Sequence, residues 1–203
     1  AKTKTMEKLG AGLAMNLLDY FRISKTISFK DGEILLMNQN VNVTPTSILC
    51  DFQKGLIENI GFKEAYENLY NTAKKISFDY NSKFIKGYKF KSGRDVTEWQ
   101  LKVVTLAGWG KWTIKHFEPE KYNIIFQMKD SPFTKVYGKS TFPVDIITVG
   151  LVAGGALSNF KEPIETIETK CQAMGDEYCQ IEIGTPEVIE AKRNELWKQW
   201  KLI

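Results

Sequence analysis

Two cysteines flanking a Gly-Asp pair constrain this chain more than any other feature. The segment runs Glu168-Thr169-Lys170-Cys171-Gln172-Ala173-Met174-Gly175-Asp176-Glu177-Tyr178-Cys179. A hairpin turning at Gly175 sets the two thiols opposite each other across an antiparallel pair. Directly opposed Cβ atoms there lie about 4.5–5.5 Å apart. Thiols at that separation can share a metal ion, pair as a disulfide, or pack as small apolar side chains. The hairpin thus predicts antiparallel sheet near the C-terminus and marks a candidate for chemistry or for a structural clip.

The rest of the chain bounds what surrounds that hairpin. Its 203 residues, 43% hydrophobic, suit one domain with a sizeable core, or one domain with an N-terminal extension. Lys and Arg exceed Asp and Glu by 28 to 24, and the net charge of +4 is too mild to predict direct nucleic-acid binding. The lysines between Lys74 and Lys91 alternate with aromatics and read as a solvated helical face. Three cysteines make an odd count, which disfavours a disulfide framework and predicts a reducing, cytoplasmic setting. No apolar leader follows Ala1-Lys2-Thr3-Lys4-Thr5, so no secretory signal is expected. The longest apolar run, Val144–Leu157, contains Asp145 and is too short to span a bilayer.

Periodicity orders the elements. Met6–Ile23 carries Leu9, Leu13, Leu17 and Phe21 at helical spacing, and Asp31-Gly32 between apolar runs predicts a hairpin. Residues 1–43 are therefore expected to form a helix-plus-hairpin extension, a candidate dimerisation element, ahead of a domain spanning 44–203. Thr44-Pro45 signals a helix start, and helix is expected to run to Tyr88 with a break near Gly61. Asp95–Leu106 predicts a further helix with Val96, Trp99, Val103 and Leu106 on its buried stripe. Trp109–Phe117 and Tyr122–Met128 read as strands joined by a turn. Phe142–Phe160 reads as a buried helix whose Gly150 and Gly154 admit another backbone, from this chain or from a second copy. Pro163–Cys171 and Tyr178–Ile183 form the cysteine hairpin, and a last helix starts at Thr185-Pro186. The order predicts an α+β fold, an antiparallel sheet packed with helices.

Spacing gives only half a metal site, since no Cys-x-x-Cys pair supplies further thiolates. Strict strand alternation turns Glu168 to the face opposite Cys171, unless a bulge or the strand end redirects it. Asp145 opens an apolar helix, where it either caps the N-terminus or faces a cation. His116 is the sole histidine and lies far from the cysteines in sequence, so it is expected to be a satisfied or exposed side chain.

The stretch from Ile167 to Cys179, with its first Cys, Gly175-Asp176 turn and second Cys, resembles the end of the 4-vinyl-reductase domain. Pro143-Val144 and the small-residue helix that follows are similar to that family as well. The resemblance spans about Thr44–Gly184 in element order and Phe142–Gly184 at the level of motifs. It implies the fold type shared by NO-signalling and Golgi-transport ligand-binding domains, by vesicle-tethering (TRAPP) subunits and by the sensor domains of aromatic-responsive regulators. It also implies a structural zinc ion held by Asp145, Glu168, Cys171 and Cys179, with Asp145 standing where the phenol-type sensors have a cysteine. A ligand cavity is implied as well, walled by Trp109, Trp112, Phe126, Met128 and Phe133, with Val149 or Val152 from the helix. Those sensors place a histidine at the position of Ala107, so phenol is not the expected ligand; an apolar or larger aromatic molecule is.

The expected function is a non-catalytic small-molecule-binding or sensor module that acts as a homodimer and signals to an effector protein. Two rivals accompany it. One is a scaffold or tethering-type subunit of a protein complex. The other is a reductase acting on a tetrapyrrole vinyl group, for which the sequence offers no Gly-x-Gly-x-x-Gly fingerprint.

Overall fold

The computed structural model describes residues 27–36, 39–87, 90 and 92–203. The expected helix Met6–Ile23 lies outside the described residues. The Asp31-Gly32 turn joins β1 (Ile27–Lys30) to β2 (Glu33–Leu36), and β3 (Gln39–Val41) completes a small antiparallel sheet. Gly32 takes φ +78°, the left-handed conformation such a tight turn needs.

Three helices follow: α1 (Thr46–Ile60), α2 (Phe62–Gly87) and α3 (Gly93–Leu106). Gly61, at φ +82°, ends α1 as expected. Ser92 caps α3 by accepting from the Asp95 N–H. The buried stripe of α3 is Val96, Thr97 and Leu101. This corrects the expected stripe, because α3 meets its neighbours on the face one position away from Trp99.

The main sheet contains β4 (Lys111–Glu118), β5 (Asn123–Lys129), β6 (Glu165–Lys170) and β7 (Cys179–Gly184), in the order β4-β5-β7-β6, all antiparallel. Cross-strand register places Ile124 opposite Ile183, Phe126 opposite Ile181 and Met128 opposite Cys179. All six side chains are buried. Alternation along β5 and β7 therefore builds one continuous apolar face. Strand β4 starts two residues later than expected because Gly110, at φ +92°, turns the chain onto the sheet.

Against that face lie α4 (Pro132–Tyr137), α5 (Ile146–Phe160) and α6 (Pro186–Gln199). Helix α4 was not expected, although Ser131-Pro132 is a serine N-cap with proline at N1. Helix α5 begins four residues later than expected, since Pro143 disfavours helical backbone at Phe142. The two small residues of α5 serve contacts within the chain. A Cβ on Gly150 would lie 2.5 Å from the Tyr70 carbonyl oxygen, and one on Gly154 would lie closer still to that of Lys74. Helices α2 and α5 thus touch backbone to backbone. No described helix is long and apolar enough to cross a membrane.

Candidate functional site

Two sites share α5. The first is a cluster at its N-terminus. Asp145, Glu168, Cys171 and Cys179 each offer one donor atom, and these four atoms lie within 4.8 Å of one another. All four side chains are buried, and Asp145, Cys171 and Cys179 have no exposed surface.

Local structure explains each position. Register pairs Lys170 with Gln180, so Cys171 stands one step past the end of the ladder, opposite Cys179. The chain then enters a single 3₁₀ turn, Gln172–Met174, and reverses at Gly175 with φ +106°. The Asp176 carboxylate accepts from the Cys171 N–H at 2.9 Å and ties the turn to its base. Glu168 reaches the thiol side because the β6–β7 ladder shifts register between Glu168 and Lys170. That bulge reverses the strict alternation that would have turned Glu168 to the opposite face. Asp145 occupies the N-cap position of α5 but makes no capping hydrogen bond with its side chain. Its carboxylate instead accepts from the Ser131 hydroxyl at 2.5 Å and from the Cys179 thiol at 3.2 Å, while its backbone N–H donates to Glu168 Oε2 at 3.1 Å.

The electrostatics are those of a crowded acid site. Burial raises the Asp145 carboxyl above its ordinary range, against the lowering effect of the Ser131 hydroxyl. Burial, then the neighbouring Asp145 and Cys171, push Glu168 well up. The hydrogen bond with Cys171 and then burial raise Cys179, and the same bond draws Cys171 down. Glu168 Oε1 is buried with no hydrogen-bond partner among the described residues. Buried carboxylates without compensation cost several kcal/mol each, on the order of the usual ion desolvation penalty. The donor set of two sulfurs and two carboxylate oxygens, one of them orphaned, fits a tetrahedral divalent ion such as zinc. Bonds of about 2.0–2.3 Å to such an ion need only a small contraction of the cluster. Both cysteines are free thiols. His116 lies elsewhere, half-exposed on β4 beside Asn123 and Glu118.

The second site is a cavity of about 290 Å³ bounded by α2, α3, α5 and the sheet. Trp109, Trp112, Phe126 and Val152 line it. Met128, Phe133 and Val149 do not; they are fully buried in the core around it. Strand β5 delivers Met128 beneath Gly110, where a Cβ would meet its Cγ at 2.8 Å, rather than into the open space. Periodicity along β5 assigned Met128 the same face as Phe126 but could not say where that face is already filled. Sequence reasoning also missed the helical walls, Phe84 and Tyr80 from α2 and Leu101 and Val104 from α3. Ile76 lines the cavity and is 59% exposed, which places an opening beside α2. The polar lining includes Ser77, Asn81, Thr97, Gln100 and Thr148. No sequence signal marks these residues, because Asn81 and Gln100 lie on different helices.

Comparison with known proteins agrees with this geometry. Residues 124–185 match the vinyl-4-reductase (4VR) domain family. The fold resembles the phenol-responsive sensory domain of the transcription activator PoxR, solved with phenol, with a TM-score of 0.73 at 18% identity, covering 88% of this chain and 94% of that one. It also resembles a trafficking protein particle complex subunit 3 from Naegleria fowleri covalently bound to palmitic acid, with a TM-score of 0.52 at 15% identity over 68% and 93% of the two chains. A vinyl-4-reductase family protein from Methanocaldococcus jannaschii gives a TM-score of 0.48 at 14% identity over 70% and 82%. No curated protein matches the sequence. The chain thus joins a vinyl-4-reductase domain match over residues 124–185 to the α+β fold of a phenol-responsive sensory domain.

Proposed function

We propose that this protein is a non-catalytic small-molecule-binding module of the sensor type, with a structural zinc site. The single observation that carries the reading is the cavity, about 290 Å³ and walled by Trp109, Trp112, Phe126 and Val152. An apolar pocket of this kind, with few polar groups on its wall, is the ordinary form of a site for a small apolar or aromatic molecule. The likeness of fold to a sensory domain supports the same reading.

Zinc bound by Asp145, Glu168, Cys171 and Cys179 would serve as a clip. It would join the start of α5 to the β6–β7 hairpin and so hold the helix that forms one cavity wall. Four protein ligands fill a tetrahedral ion and leave no position for a reacting water. The role of such an ion is therefore to offset the buried carboxylates and thiolates. A reducing, cytoplasmic setting would keep both thiols free for it.

Residues 1–43 are proposed as a dimerisation element of a homodimer, ahead of the ligand domain at 44–203. Phe29 and Val43 are 77% and 88% exposed, which leaves apolar surface on that extension for a partner. Output would pass to an effector protein through that dimer. A scaffold or tethering role is the second reading, and the likeness to a trafficking-complex subunit favours it.

Native mass spectrometry of freshly purified protein tests the function. A co-purifying small molecule, lost in Val152→Phe because the larger ring fills the cavity, is the expected result. A stable multi-protein complex with no small molecule would favour the scaffold.

A further inference from the structure

The polar edge of the cavity has a hydrogen-bond inventory that can be closed atom by atom. The Asn81 amide NH₂ donates to the Ser77 carbonyl at 2.8 Å and to Ser77 Oγ at 3.0 Å. A backbone carbonyl can only accept, so the orientation of the Asn81 amide is fixed and its oxygen points away from Ser77. Gln100 Nε2 donates to that oxygen at 2.9 Å and to the Gly155 carbonyl at 3.4 Å. The Gln100 amide is fixed in turn. The Ser77 hydroxyl donates to the Leu151 carbonyl at 2.6 Å, and the Thr97 hydroxyl donates to the Gly93 carbonyl at 3.0 Å.

Every donor hydrogen on Ser77, Asn81, Thr97 and Gln100 is therefore spent on the protein itself. What remains along this edge is lone pairs, chiefly those of Gln100 Oε1, which accepts no hydrogen bond among the described residues. The hydroxyls of Thr148 and Tyr80, also on the lining, can rotate to donate or accept and do not alter the polarity of this edge. An acceptor edge is complementary to a donor and repels a carboxylate or a carbonyl oxygen, which would be buried unpaired against it.

Size gives the second constraint. An apolar protein cavity of about 150 Å³ holds benzene. At about 290 Å³ this cavity has room for two fused rings.

Building on the ligand-binding reading above, we propose that the cavity takes a neutral, largely apolar molecule of two-ring size whose one hydroxyl or N–H group donates to Gln100 Oε1. Gln100 is then the residue that sets specificity. It is held in place by Asn81 on α2 and Gly155 on α5, and binding through it would bridge three helices.

Calorimetric titration of the full chain with 2-naphthol, naphthalene, 2-naphthoate and phenol tests this directly. 2-Naphthol is expected to bind about threefold to tenfold more tightly than naphthalene, the range of one net hydrogen bond. It should also bind more tightly than phenol, and 2-naphthoate should bind worst. In Gln100→Leu the preference for 2-naphthol over naphthalene should fall to about one while naphthalene still binds. Equal affinity of the wild-type chain for 2-naphthol and naphthalene, or tight binding of 2-naphthoate, would overturn the Gln100 assignment and leave the binding module standing. Phenol binding as tightly as 2-naphthol would overturn the size argument. Failure of all four compounds to bind would overturn the module as well. The wild-type series decides the matter even if Gln100→Leu does not fold.

Discussion

The two ends of α5 face opposite chemical problems. At its N-terminus, four acidic groups from three segments converge with almost no exposed surface to dilute their charge. Along its middle, Val152, Gly155 and Ala156 border an apolar space of about 290 Å³ with an acceptor edge. The first region is over-determined, because its donors are fixed by a bulge, a tight turn and a hydroxyl, and one ion would satisfy them all. The second is under-filled, and its walls come from helices far apart in sequence. The difference teaches that one helix can be anchored rigidly at one end and leave its flank free for recognition.

Mutations can break or sharpen that contrast. The largest effect is expected from Cys179→Ala. It should release zinc and cost about 3–5 kcal/mol, the penalty for stranding buried charge. Elemental analysis and thermal melting would measure both. Retention of the metal would place its ligands elsewhere.

Gly154→Ala comes next and should damage both regions together. Its Cβ would collide with the Lys74 carbonyl oxygen, so α2 and α5 must separate. Overpacking of this kind costs about 1–3 kcal/mol. Chemical denaturation should show that loss, and a variant as stable as wild type would mean that the helices are not in backbone contact.

Ser131→Ala should act on the metal end alone. The Ser131 hydroxyl selects which Asp145 oxygen is left to face the thiol. Partners of this kind are worth about 10–100-fold in metal affinity. Competition with a chromogenic chelator should register the change, while binding of cavity ligands stays as it was. A matching loss of cavity binding would show that the two ends are not separable.

The smallest effect is electrostatic and lies outside both regions. Burial raises the half-buried Glu182 carboxyl, but Lys192 on α6 outweighs it and holds the group below its ordinary value. A depressed carboxyl contributes stability that is full above about pH 4.5, its unfolded value, and is lost as pH falls through the folded one. Lys192→Met should remove that contribution near neutral pH and flatten the acid limb of the stability curve. The change is about 1 kcal/mol or less for a pair this exposed. An unaltered acid limb would assign the acid sensitivity to other carboxylates.

Much of the fold could be read from patterns of short range. Asp31-Gly32, Gly61, the alternation of β5 and the turn at Gly175 each act through neighbouring residues, and each appears where local backbone preference puts it. The α3 stripe and the places of Met128, Phe133 and Val149 could not be read in this way. A period gives the face of an element but not what already occupies the space beside it. Helix α4 carried a readable Ser131-Pro132 signal, whereas Gln53, whose amide donates to the Val144 carbonyl beside Asp145, carried none.

The sequence by itself determined that Cys171 and Cys179 would meet, because a hairpin's register follows from its turn. It also supplied Glu168 and Asp145, through a resemblance of motif. Only the tertiary structure decided that the β6 bulge turns Glu168 inward, that Ser131 orients Asp145, and that Asn81 and Gln100 join across two helices to give the cavity one acceptor edge. The reason is physical. Hydrogen-bond geometry along a strand is local, but the depth of a pocket and the partner of a buried amide depend on how distant elements fill the same space.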